Sequence, residues 1–355
     1  MNTIDNYFPR SLIFISLSFS FLFSQVSFNA ANISTSAAEA ISVFAADMDG
    51  DGDMDIVSAS VDDNTIAWYE NDFEEMWMID GKRSGSFTSS DIATTAEGAY
   101  SVFVADMDGD GDMDIVSASY ADDTIAWYEN DGAKNPTFTA ADIATSAEGA
   151  SSVFAADMDN DGDMDIVSAS FGDHTIAWYE NDGAANPSWA AADIATNATG
   201  AASVFAADMD GDGDMDIVSA SDEDDTIAWY ENDGAENPTF TAADIATSAD
   251  GAASVYVADL DNDGDMDIVS ASMDDNTIAE YKNNLAALDA RSFTAADIAT
   301  SAESAQSVFA ADMDNDGDMD IVSASSDDNT IAWYENDGAA NPSWTAVDIA
   351  TSADG

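Results

Sequence analysis

Cysteine is absent from the 355 residues, so no disulfide, thiolate metal site or cysteine nucleophile is available. Stability has to come from packing and from whatever neutralises charge. Basic residues are scarce as well: six Lys and Arg stand against 72 Asp and Glu, a formal net charge of -66. A surface of that sign repels nucleic acid and anionic lipid, and cations are its natural counterparts. No stretch keeps a helical period, and no nucleophile elbow, phosphate-binding glycine loop or HExxH pair occurs. The chain is therefore expected not to be an enzyme.

What is present is enough apolar material, 46% of residues, to bury a substantial core in one large β domain or two average ones. Near the start, Arg10 precedes the run SLIFISLSFSFLF, which is too short for a membrane span and suits the apolar core of a signal peptide. Asp5 ahead of it and a weak cleavage pattern around Asn29, Ala30 and Ala31 leave an uncleaved anchor as the alternative. The expected division is a signal peptide over residues 1–30 and one repeat domain over 31–355, secreted and extracellular or at the cell surface, with no other insertion into a membrane.

Self-similarity decides the architecture. The nonapeptide DMDGDGDMD or a near copy begins at Asp47, Asp106, Asp157, Asp208, Asp259 and Asp312, at intervals of 59, 51, 51, 51 and 53 residues. The longer intervals hold an insertion from Phe73 to Gly85 and a divergent stretch from Tyr281 to Phe293. Within one repeat, four strand-like runs, SVFAAD, MDIVSAS, TIAWYE and SWAAADIAT, are separated by the acidic loop, the FGDH turn and the NDGAANP segment. The second and third runs are apolar or small on both faces, as in sheets covered on both sides. Four antiparallel strands repeated about every 50 residues predict an all-β fold, a β-propeller of four-stranded blades with six blades encoded.

Recurring aromatics fit that reading. Phe44, Phe103, Phe154, Phe205, Tyr256 and Phe309 mark the first strand, and Trp68, Trp127, Trp178, Trp229 and Trp333 the third, as packing between blades. Glu280 replaces the Trp in the fifth repeat, which marks that blade as the weakest or as one whose edge docks something else. His174, the only histidine, stands where other repeats have Asn or Asp, and reads as a solvated turn residue. The segment ANISTSAAEAISVF, residues 31–44, aligns with ADIATSAEGASSVF, residues 141–154, so an additional outer strand is expected ahead of the first blade. That leaves two arrangements open, a six-bladed ring with a redundant strand or a fragment of a seven-bladed ring.

In every nonapeptide, aspartates occupy positions 1, 3, 5, 7 and 9. They are Asp47, Asp49, Asp51, Asp53 and Asp55; Asp106, Asp108, Asp110, Asp112 and Asp114; Asp157, Asp159, Asp161, Asp163 and Asp165; Asp208, Asp210, Asp212, Asp214 and Asp216; Asp259, Asp261, Asp263, Asp265 and Asp267; and Asp312, Asp314, Asp316, Asp318 and Asp320. Position 6 is always Gly, and position 4 is only Gly or Asn, the residue types that most readily enter the left-handed region. Carboxylate oxygens without His or Cys select calcium over zinc or copper, at about one ion per repeat, and a flexible loop favours calcium over magnesium. Six such ions would add twelve positive charges and bring -66 to -54. Position 12 of the first copy is Ser58 and both flanks are strand-like, so the loop is not an EF-hand. Positions 1, 3, 5 and 9 are expected to ligate through carboxylates and position 7 through its carbonyl, clamping two adjacent strands.

The pattern VFAADMDGDGDMDIVSAS followed by TIAWYENDG resembles the FG-GAP and VCBS-type repeats of integrin α-subunit propellers and of many secreted microbial and algal proteins, over nearly all of residues 31–355. SVFAAD stands in place of the literal FG-GAP signature, so the VCBS-like branch fits better and integrin-style ligand recognition is not carried over. The resemblance implies calcium at these loops, on one face of a propeller serving adhesion, ligand binding or scaffolding. The expected role is an extracellular binding module for a protein or glycan. The alternatives are a propeller accessory to a polysaccharide-active enzyme and a structural calcium-binding surface protein.

Overall fold

Each repeat folds as the alternation of strand runs and turns requires. The computed structural model describes residues 32–72, 86–284 and 292–352; the expected signal segment and the insertion of residues 73–85 lie outside the described residues. In the first blade, β1 (Ala40–Ala46), β2 (Asp55–Ser60), β3 (Thr65–Asp72) and β4 (Ser86–Ala93) pair in that order. Every neighbouring pair is antiparallel. Five further sheets repeat the order over residues 99–144, 150–195, 201–246, 252–299 and 305–350, giving a propeller of six blades.

The second strand, DIVSAS in every copy, is covered on both faces in blades two to five. In blade three Ile166 packs toward blade two and Val167 and Ala169 toward blade four, and none of the three is exposed to solvent. The Ser, Ala and Ser that follow Ile and Val in the strand are small and let the sheets approach closely. Five clusters of buried apolar side chains fill the five junctions between successive blades. Along the first strands the aromatic rings form a ladder, Phe44 to Phe103 at 4.8 Å and Phe103 to Phe154 at 4.5 Å, continuing to Phe309. On the third strands Trp68, Trp127, Trp178 and Trp229 meet an aromatic of the next blade's outer strand edge-on at 6.2–6.4 Å. The expected packing role of both aromatic series is what the structure displays.

Polar contacts repeat at each junction too. Val153 N–H donates to Ser101 Oγ at 3.3 Å, Ala147 N–H to the Asp123 carbonyl at 3.0 Å, and Gly149 N–H to Asp123 Oδ1 at 2.9 Å. Asp123 accepts from a left-handed turn at φ 59°. His174 holds that position in blade three, at φ 63°, where its Nδ1 accepts the Gly200 N–H at 3.0 Å. It is half-buried, a junction residue rather than the solvated turn residue its sequence context indicates.

The propeller has two unpartnered faces among the described residues. On blade one, Val43 is 68% exposed, whereas its counterpart Val102 in blade two is 4% exposed. On blade six, Phe309 is 51% exposed, and Val322 and Ile331 are half-buried where their equivalents in the inner blades have no exposed surface. The additional outer strand expected ahead of blade one is not formed: residues 32–39 carry no strand, and the first begins at Ala40. A strand needs a neighbour to satisfy its N–H and C=O groups, and the outer position of blade six is already taken by Trp344–Ala350.

Candidate metal sites in the acidic loops

Between the first and second strands of each blade, the nonapeptide winds around its own first aspartate. In loop one, Asp47 Oδ1 accepts the Asp51 N–H at 3.1 Å and Oδ2 the Gly52 N–H at 2.9 Å. Asp49 Oδ1 accepts from Asp51 N at 3.2 Å, and Asp51 Oδ1 from Asp53 N at 3.0 Å. The same contacts recur in loop six through Asp312, Asp314 and Asp316. The chain curls because two positions lie in the left-handed region: position 4 at φ 57–75° and position 6 at φ 95–100°. Asn tolerates the first range, and only Gly the second, which explains why Asn appears at position 4 and never at position 6.

The curl gathers carboxylates. Oxygens of Asp47, Asp49 and Asp55, and of Asp106, Asp108 and Asp114, lie within 4.8 Å of one another, positions 1, 3 and 9. In blades three, four and five the gathered groups are positions 1, 3 and 5: Asp157, Asp159 and Asp161; Asp208, Asp210 and Asp212; Asp259, Asp261 and Asp263. Within loops one and five, Asp49 Oδ2 and Asp261 Oδ1 are buried and accept no hydrogen bond. Three like charges that close, with orphaned buried oxygens among them, form an electrostatically incomplete arrangement that a hard divalent cation would complete. The donor set therefore fits such an ion.

Position 9 also acts as a brace. Asp165, wholly buried, accepts the Met158 N–H at 3.1 Å and the Asn181 N–H at 2.8 Å, tying the loop to the third strand. Desolvation pushes Asp114, Asp165, Asp216 and Asp267 up to about 7, against the pull of those backbone N–H groups. At position 3, burial and then the neighbouring Asp161 raise Asp159 to about 6.

Position 7 points elsewhere. Asp214 Oδ1 accepts from Asn160 Nδ2 of the preceding loop at 2.6 Å, and Asp318 Oδ1 from Asn262 at 2.7 Å. Asp112, Asp163, Asp214 and Asp318 also pack against the glycine of NDG in their own blade, where any Cβ would collide with the carboxylate. Position 7 is in none of the five gathered groups named above, and where the preceding loop carries Asn at position 4, in Asp214 and Asp318, its side chain links the two loops.

Sequence reasoning missed one residue, the Asn closing TIAWYEN. Asn181 Nδ2 donates to the Met107 carbonyl of the preceding loop at 2.8 Å and to the Met164 carbonyl of its own loop at 3.0 Å. Asn130, Asn232, Asn283 and Asn336 repeat both bonds. Its recurrence in all six repeats was the available signal. Beside the loops of blades two and three lies an open cleft of about 480 Å³ lined in part by Phe103, Met107, Met113, Asp163 and Met164.

Comparison with known proteins gives both a family and a fold. The profile of the FG-GAP-like repeat matches residues 47–117, 106–168, 158–219, 208–270, 263–323 and 312–355. No match was found among curated proteins. Among solved structures, the chain is similar to an Agrocybe aegerita lectin that recognises non-reducing terminal N-acetylglucosamine, at 19% identity and a TM-score of 0.59, over 89% of this chain and 81% of that one. A Lactobacillus plantarum protein matches at 13% identity and a TM-score of 0.60, over 88% and 85%. The periplasmic gluconolactonase of Pseudomonas aeruginosa matches at 12% identity and a TM-score of 0.55, over 84% and 83%. These likenesses establish the fold alone, but they correct the expectation that the chain is not an enzyme. Propellers of this shape include a gluconolactonase, and the missing sequence motifs belong to other folds, so their absence does not exclude catalysis.

Proposed function

Since the chain belongs to the FG-GAP-like repeat family, we propose that it is a secreted, calcium-binding propeller that engages an extracellular protein or glycan. The observation that carries the calcium reading is the gathering of three aspartate oxygens within 4.8 Å in successive loops, with buried carboxylate oxygens left without a donor. Asp47, Asp49, Asp51 and Asp55 and their equivalents would hold the ion, which would supply the positive charge that the loop lacks. The chain's own share is preorganisation: the N–H groups at positions 5 and 6 fix the first aspartate, and Asp55 or its equivalent ties the loop to the third strand. A signal-like N-terminus and a charge of -66 support an extracellular setting, where calcium is plentiful. The glycan class is supported by the open cleft beside the loops and by the lectin that shares the architecture.

Two measurements test this. Millimolar calcium should raise the melting midpoint of the chelator-stripped chain well above the effect of equal magnesium, because the ion binds only folded loops. A midpoint indifferent to calcium and EDTA would count against the metal. Binding on a glycan array that disappears with chelator is expected; binding unaltered by chelator would separate the ligand site from the loops.

A further inference from the structure

Blade five departs from the other repeats at two neighbouring positions of one strand. Where they read TIAWYEN, it reads TIAEYKN, so Glu280 stands for Trp and Lys282 for Glu. The glutamate replaced by Lys282 is part of the loop's electrostatic surroundings elsewhere: Glu129 adds to the repulsion on Asp108 and Glu180 to that on Asp159, both at position 3. In blade five the sign is reversed. Lys282 Nζ lies 3.7 Å from Asp261 Oδ2, with the two side chains only 11% and 9% exposed, and the other Asp261 oxygen is buried without a hydrogen-bond partner.

The same two residues rewire the junction with blade six. Lys282 Nζ donates to Asn341 Oδ1 at 3.3 Å, and the Trp344 indole N–H donates to Glu280 Oε2 at 3.2 Å. Other junctions place an aromatic pair there, such as Trp178 against Phe240 at 6.4 Å. Asp267 of this loop accepts the backbone N–H groups of Asn283 at 2.8 Å and Leu260 at 3.0 Å.

We infer, resting on the calcium reading above, that Lys282 is a built-in counter-ion that makes the loop of blade five the weakest calcium site. The exchange of Glu for Lys replaces one negative charge by one positive charge at a position-3 carboxylate that is nine-tenths buried. Metal affinity in oxygen-ligand loops follows ligand charge, and a partly buried charge is poorly screened, so a loss of about tenfold or more is expected. As calcium falls, loop five empties first. The junction with blade six keeps its apolar cluster, and the contacts of Lys282 with Asn341 and of Glu280 with Trp344 lie beside it.

Calcium titration of the full, chelator-stripped chain against a competing chromophoric chelator tests this. The expected isotherm has a tight class and one site about tenfold or more weaker. Lys282→Glu should merge the weak site into the tight class, and Lys282→Gln should place it between. Glu180→Lys, the same exchange moved to blade three, should create a second weak site, with circular dichroism confirming that the variant is folded. Equivalent sites in the unaltered chain, or a weak class that survives Lys282→Glu, would overturn the inference and leave the calcium reading standing. Absence of binding at every loop would overturn both.

Discussion

The junction between blades three and four and the outward face of blade six are built from nearly the same residues and differ in what lies against them. Ile176 and Val167 at the junction have no exposed surface, whereas Ile331 and Val322 on blade six are half-buried. Phe205 has a ring on either side, Phe154 at 4.5 Å and Tyr256 at 4.8 Å, whereas Phe309 has Tyr256 on one side and is 51% exposed. What holds this protein together therefore resides in the contact between blades more than in the blade. A repeat array of this kind derives its stability from neighbour interfaces.

The largest test of that comparison is a matched pair of truncations. Ile176→Ala should cost about 2–5 kcal/mol of unfolding free energy, as for a buried core residue, and Ile331→Ala less than half as much. Equal losses in denaturant titration would mean that the face of blade six is covered in solution. Next in size, Asn181→Ala strips hydrogen bonds from the Met107 and Met164 carbonyls, at about 1–3 kcal/mol for each buried group left unpaired. Among the described residues Asn71 Nδ2 reaches the Met54 carbonyl alone, at 3.0 Å, so Asn71→Ala should cost about half of that.

Smaller again are the backbone and pH effects within the loops. Gly162→Ala forces a side chain to φ 98° and should cost about 1–3 kcal/mol, whereas Gly211→Asn, at φ 75° where other loops already carry Asn, should be nearly neutral in thermal melts. In the chelated protein, burial raises Asp114, Asp165, Asp216 and Asp267 to about 7 from an unfolded value near 3.8. A raised carboxyl contributes stability that is full below the unfolded value and lost as pH climbs through the folded one. The chelated chain should therefore melt higher at pH 5 than at pH 8, and Asp165→Asn should flatten part of that slope. A midpoint that rises with pH under chelation would contradict the burial of these groups as acids.

Much of this was legible in the sequence, for physical reasons. The strands follow from alternation and turn chemistry, the blades from the 51-residue interval, and the glycine at position 6 from a φ near 100° that no other residue adopts easily. What was not legible depends on the neighbouring blade. His174 became a junction acceptor only because Gly200 approaches from blade four, and the side chains of Asp214 and Asp318 meet Asn160 and Asn262 only because the preceding loop lies beside them. The outer strand expected ahead of blade one had the right residues, but residues 32–39 carry no strand and the first sheet begins at Ala40. Chemistry was least legible of all, since motif absence excluded only folds that this chain does not have.

Crystals of the full chain grown in millimolar calcium would show whether the acidic loops are calcium sites clamping the first two strands of each blade. Anomalous density is expected about 2.3–2.6 Å from carboxylates at positions 1, 3 and 5 or 9 in blades one to four and six, with lower occupancy in blade five. Well-ordered loops carrying only water at that calcium concentration would contradict it.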